Sequence, residues 1–202
     1  MSLMRRREMM GIGNNTDNVN YKNALIGTGT QYVDTGIPVT DSTVIKASVY
    51  IESFNRDYMN VFGTYLNECG CIRQSNASML GFPYRGNSEV VNYMEITIPG
   101  QFDILYDLPN KTFGINGTHR AFNGANTQKL SNQTMWIFAK KQYGNNPNRI
   151  GSFKLYSFSM EELGKKIIYL LPALDSSGIA CLYDKVSGRY FYNIGTGQFE
   201  YE

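Results

Sequence analysis

The last quarter of the chain, Arg149 to Glu202, constrains the fold most, because short apolar and aromatic runs alternate there with turn chemistry. Phe153 to Ser159, Ile167 to Leu174, Ile179 to Tyr183 and Arg189 to Tyr192 read as four strands. They are separated by Asp175-Ser176-Ser177-Gly178 and Asp184-Lys185-Val186-Ser187-Gly188, and the last closes on Gly195-Thr196-Gly197. A helix does not tolerate such punctuation, whereas an antiparallel meander requires it. Only Ser159 to Gly164 is left as a place for one helical turn.

The same grammar runs upstream. Ala24 to Ile26 and Gln31 to Asp34 supply the first strands, and Thr43 to Glu52 is the cleanest: Ile45, Ala47, Val49 and Ile51 alternate with Lys46, Ser48 and Tyr50. Tyr58 to Leu66, Cys71 to Gln74, Ser78 to Tyr84, Val90 to Ile98 and Phe102 to Leu108 continue it. Lys111 to Ile115 and Thr118 to Phe122 flank Asn116-Gly117, a hairpin signal because both residues accept the left-handed conformation. Met135 to Ala139 reads as a core strand, and Lys140 to Asn148 as an exposed loop. About a dozen strands without a long helix predict an all-β fold, two packed antiparallel sheets forming a sandwich.

Size and charge narrow the function. A chain of 202 residues suits one sandwich domain, and a net charge of +2 provides no field to steer it to nucleic acid. No apolar run approaches the ~20 residues that cross a bilayer, so membrane insertion is not expected. Fifteen Tyr and eleven Phe suit pleated, half-buried surfaces. Cys69, Cys71 and Cys181 are an odd number, and with His119 the single histidine they do not make a metal set, so they read as structural or free thiols.

The strings Lys154-Leu155-Tyr156-Ser157, Leu171-Pro172-Ala173-Leu174, Leu182 to Gly188 and Tyr192-Asn193-Ile194-Gly195-Thr196-Gly197 resemble the C-terminal signature of LamG-like, concanavalin A-like jelly-roll domains. Gly27 to Gly36 (GTGTQYVDTG) resembles their first strand. Such domains recur in bacteriophage tail, fibre and head-surface proteins and in surface proteins of gut bacteria. The resemblance implies a jelly roll over residues 21–202, its first and last strands adjacent, preceded by a short N-terminal arm at 1–20. It also implies a non-enzymatic virion or surface protein that binds host-surface glycans or decorates the particle. The alternatives are a purely structural subunit adaptor and a glycoside hydrolase.

The arm bears Met4, Arg5, Arg6, Arg7, Met9 and Met10, side chains suited to docking into virion or other protein subunits, since Met adapts to irregular surfaces and Arg makes forked hydrogen bonds. Self-association into a homo-oligomer is compatible with it. The N-terminus lacks the apolar core of a secretory signal, so synthesis in the bacterial cytoplasm with release by lysis into a virion or onto a surface is expected.

For chemistry, a hydrolase needs two carboxyl groups flanking a sugar bond; Glu161 and Glu162 are adjacent and point apart, and Glu89 and Glu95 are six positions apart, so no catalytic residues are assigned. Asp34, Asp103 and Asp107 are the carboxylates a calcium ion of the LamG-like kind would draw on, but no dense acidic loop marks a site, and no cofactor is expected. Glycan recognition pairs aromatic faces with amide and guanidinium donors. Tyr84, Arg85 and Asn87 in one loop, Tyr143 and Asn145 in another, and Tyr93 and Trp136 on a sheet face are the candidates; packing in the sandwich is the alternative for Tyr93 and Trp136, and the preferred one for Trp136.

Overall fold

A computed structural model of the chain describes residues 19–53, 59–64, 69–73, 79–84, 91–123, 130, 132–142, 146–148 and 150–202. The arm residues Met4, Arg5, Arg6, Arg7, Met9 and Met10 lie outside them. Chain order gives β1 (Asn20–Tyr21), β2 (Leu25–Thr28), β3 (Val33–Pro38), β4 (Thr43–Ile51), β5 (Met59–Gly63), β6 (Gly70–Arg73) and β7 (Met79–Pro83). Next come β8 (Val91–Glu95), β9 (Gly100–Asp107), β10 (Thr112–Ile115), β11 (Thr118–Ala121), β12 (Thr134–Ile137), β13 (Lys140–Gln142) and β14 (Asn146–Asn148). The final quarter holds β15 (Ser152–Glu162), β16 (Lys165–Leu174), β17 (Ala180–Asp184), β18 (Tyr190–Phe191) and β19 (Glu200–Tyr201).

Among the described residues two large antiparallel sheets form, beside a two-stranded ribbon of β13 and β14. The larger runs β11-β10-β9-β4-β15-β16-β17-β18, and the smaller runs β3-β12-β5-β6-β7-β8. The meander read from the final quarter is therefore consecutive β15 to β18. Alternation decides which side is wet: on β4, Ile45, Ala47, Val49 and Ile51 are buried, while Lys46 is exposed. Aromatic contacts tie the layers together. Phe62 of β5 meets Phe158 of β15 edge-on at 5.7 Å, Phe82 of β7 meets Phe113 of β10 at 4.7 Å, and the Tyr106 hydroxyl of β9 donates to the Pro83 carbonyl of β7 at 2.6 Å. Each such ring pair adds about 0.5–1.5 kcal/mol beyond its buried area. The fold is the expected all-β, two-sheet antiparallel sandwich.

The first and last described strands come together inside the larger sheet. β15 and β16 pair from Phe158 to Glu162 and then diverge, and the opening is filled by β2 against β15 and by β1 against β16. β19 pairs with β2, Glu200 opposite Ile26 and Tyr201 opposite Leu25. The two stretches that carry the family resemblance touch directly: Thr196 N donates to Thr30 O at 3.1 Å, Thr30 Oγ1 returns to Thr196 O at 3.0 Å, and Ile194 N donates to Tyr32 O at 3.0 Å.

Two local expectations are corrected. Ser159 to Gly164 forms no helical turn: β15 continues to Glu162, and Leu163 (φ 50°) with Gly164 (φ 75°) makes a two-residue hairpin to Lys165. Glu161 and Glu162 then stand opposite Lys166 and Lys165, a cross-strand charge match that favours this register. Lys140 to Asn148 is not wholly an exposed loop. Its ends pair as β13 and β14, and Lys140 is buried.

Candidate functional site

Among the described residues, the candidate glycan residues Tyr84, Tyr93 and Trp136 are not brought together. Tyr84 is 5% exposed, with its ring stacked on Phe122 at 4.4 Å, and Trp136 is 3% exposed, stacked on Tyr32 at 4.9 Å. Both are core residues, which corrects their assignment as sugar platforms. The reason for Trp136 is that β12 lies inside its sheet with both faces covered, so Met135 and Ile137 on one side and Trp136 on the other are all buried. Tyr93, on β8, is half-buried, and its carbonyl accepts Arg120 Nη1 at 3.1 Å. Arg85, Asn87, Tyr143 and Asn145 lie outside the described residues.

A different aromatic group stands on the outer face of the larger sheet. Strand parity places Tyr21 of β1, Ala173 of β16 and Cys181 of β17 in one row, with Tyr21 opposite Ala173 and Ala173 opposite Cys181. The adjoining row is Leu171, Tyr183 and Tyr190. Tyr192 follows β18 on the same side as Tyr190, because side chains two apart share a face. Ala173 and Cys181 are fully buried in a small cluster with Tyr183, separate from the main core, against which Val19 and Tyr190 pack.

The rings are contiguous. Tyr21 meets Tyr183 edge-on at 6.0 Å, Tyr183 meets Tyr190 at 5.0 Å, and Tyr190 meets Tyr192 at 6.4 Å. Tyr183 is buried at the centre, whereas Tyr21 is 42% and Tyr192 is 38% exposed. Normal strand spacing makes the strip from β1 to β18 roughly 14 Å across.

A carboxylate closes one end. Asp175 Oδ1 accepts the amides of Ser177 (2.8 Å) and Ile179 (2.9 Å), and Oδ2 accepts the Tyr192 hydroxyl at 3.0 Å. Burial pushes the Asp175 carboxyl up, but these three hydrogen bonds outweigh it and hold it below its ordinary range. Tyr192 moves the other way, raised first by burial and then by its hydrogen bond to the Asp175 charge. Tyr21 and Tyr190 are also raised, again chiefly by burial. At the other end Lys185 Nζ lies 6.0 Å from the Tyr21 ring centroid.

The remaining candidate chemistry dissolves into structure. Asp184 is buried and accepts the amides of Tyr169, Val186 and Ser187 together with the Ser187 hydroxyl, so the Asp184 to Gly188 motif builds a turn. Glu162 accepts the hydroxyls of Thr40 and Thr43, Glu161 pairs with Lys46 at 3.1 Å, Glu95 is exposed on β8, and Glu89 lies outside the described residues. His119 sits exposed on β11. Asp34 is on β3 of the smaller sheet, and Asp103 and Asp107 are on β9 of the larger one; among the described residues no three His, Cys, Asp or Glu side chains gather as metal ligands. Cys69, Cys71 and Cys181 are buried and form no disulfide with one another; burial pushes the Cys71 thiol up, and it is the main cause that carries Cys181 up to about 12.

Neither a protein-family model nor a curated protein matches this sequence. Among solved structures, one from Bacteroides ovatus is similar at TM-score 0.55 and 13% identity, covering 91% of this chain. The fold is shared. This chain spans 60% of the length of that structure, whose protein is described, provisionally, as carbohydrate-binding. At such low identity the likeness carries the architecture and leaves the site to be argued from side chains.

Proposed function

We propose that this protein is a non-enzymatic carbohydrate-binding module, and that sugar rings lie on the tyrosine strip of Tyr21, Tyr183, Tyr190 and Tyr192. The observation that carries the reading is a contiguous set of rings ending in a fixed carboxylate on a sheet face. An aromatic face carries negative quadrupole charge and attracts the polarised C–H groups of a pyranose, while Asp175 accepts a hydroxyl. A pyranose is close to a phenyl ring in size, so the strip can seat more than one sugar.

The finer reading is a bacteriophage virion or surface protein that docks through the arm at residues 1–20 and presents the sandwich to host glycans. It is supported by the LamG-like motifs at both ends of the sandwich and by the Met- and Arg-rich composition of the arm. A purely structural adaptor is the second reading. It is favoured by Ile179, Val186 and Ile194, which are 42%, 48% and 53% exposed on segments near the strip and suit a subunit contact.

A glycan array probed with the full chain, beside the chain lacking residues 1–20 and the Tyr21→Ala/Tyr192→Ala double variant, tests this. Carbohydrate binding predicts hits retained without the arm and lost in the double variant. The adaptor reading predicts no hits and arm-dependent association with virion subunits.

A further inference from the structure

We infer that the tyrosine strip selects neutral oligosaccharides and discriminates against sugars bearing a carboxylate at the Tyr192 end, with Asp175 as the specificity-determining residue; this rests on the carbohydrate-binding reading of the same site. An ionised carboxylate offers about four lone-pair positions, and three are occupied here, two on Oδ1 by backbone amides and one on Oδ2 by Tyr192. The position left is on Oδ2, the oxygen that takes the Tyr192 hydroxyl. It can accept one proton donor such as a sugar hydroxyl, and it has no proton to give.

Because the group is locked by the turn from Asp175 to Ile179, it cannot swing away from an approaching anion. The Tyr192 hydroxyl cannot relieve the repulsion, since its proton already goes to Asp175 and its outward lone pairs only accept. Lys185 stands by the Tyr21 ring at the opposite flank of the strip. A uronate, sialate or sulfate group over Tyr192 therefore meets fixed negative charge and two acceptors, whereas a neutral hexose hydroxyl meets a matched acceptor.

The test is calorimetric titration of the full chain with neutral hexose trisaccharides of gluco, galacto and manno configuration, each beside its analogue oxidised to the uronate at C6 of one residue. Wild-type protein is expected to bind a neutral trisaccharide at least tenfold more tightly than its uronate. Asp175→Asn should narrow that ratio severalfold and remove its dependence on salt concentration. Equal or tighter binding of the uronate by the wild type, abolished in Tyr192→Ala, would overturn the selectivity while leaving the carbohydrate site in place. If no trisaccharide binds, or binding survives in the Tyr21→Ala/Tyr192→Ala variant, the site itself is wrong and the selectivity falls with it.

Discussion

The Tyr192 hydroxyl donates to Asp175 Oδ2 at 3.0 Å, joining the residue just after β18 to the carboxylate that builds the turn before β17. The pair sets opposite pH limits on the same corner. Asp175 is held below its ordinary range, so the stability it contributes is present at neutral pH and is lost as pH falls below about 4 through its folded value. Tyr192 is raised, so the native state keeps a proton that the unfolded chain releases, and stability falls as pH rises above about 10. Tyrosinate absorbance during alkaline titration should show a late step that disappears in Tyr192→Phe and moves to lower pH in Asp175→Asn. An unchanged titration in Asp175→Asn would mean that the pair is not formed in solution.

Asp184 is a stability residue. Replacing it with Ala strands the amides of Tyr169, Val186 and Ser187 beside a buried site, and one charged acceptor of this kind is worth about 3 kcal/mol. Urea denaturation should show that loss with an unchanged slope, and Asp184→Asn should recover part of it.

Gly195 lets its bend close on Thr30 by having no side chain. A Cβ there would stand 2.0 Å from the Thr30 carbonyl oxygen, which belongs to backbone that cannot give way cheaply. Gly195→Ala should destabilise the protein by about 1–3 kcal/mol in thermal or urea unfolding. Gly197→Ala, at φ 73°, tests strain rather than collision at the same bend.

What was legible in the sequence was local. Asn116 and Gly117 take φ values of 50° and 79° at the hairpin their dipeptide announces, and Asp175 and Asp184 sit in the turns their neighbours predict. Leu163 misled because a leucine at positive φ is rare, although Glu161-Glu162 facing Lys165-Lys166 carried the hairpin signal. Trp136 reads both as a core residue and as a candidate platform because alternation says which residues share a face and not whether that face is covered; the core reading holds. The tyrosine strip was half visible: Tyr190 and Tyr192 share a face by parity, but Tyr21 joins them only through the pairing of β1 with β16, about 150 positions away along the chain. No local pattern encodes that contact.

The most direct measurement is a two-dimensional NMR titration with the tightest-binding oligosaccharide, using protein labelled on its tyrosine rings. Shifts are expected at Tyr21, Tyr183, Tyr190 and Tyr192 alone, with Tyr50 and Tyr106 unmoved, and should vanish in the Tyr21→Ala/Tyr192→Ala variant. Shifts elsewhere with these four rings silent would contradict the proposed site.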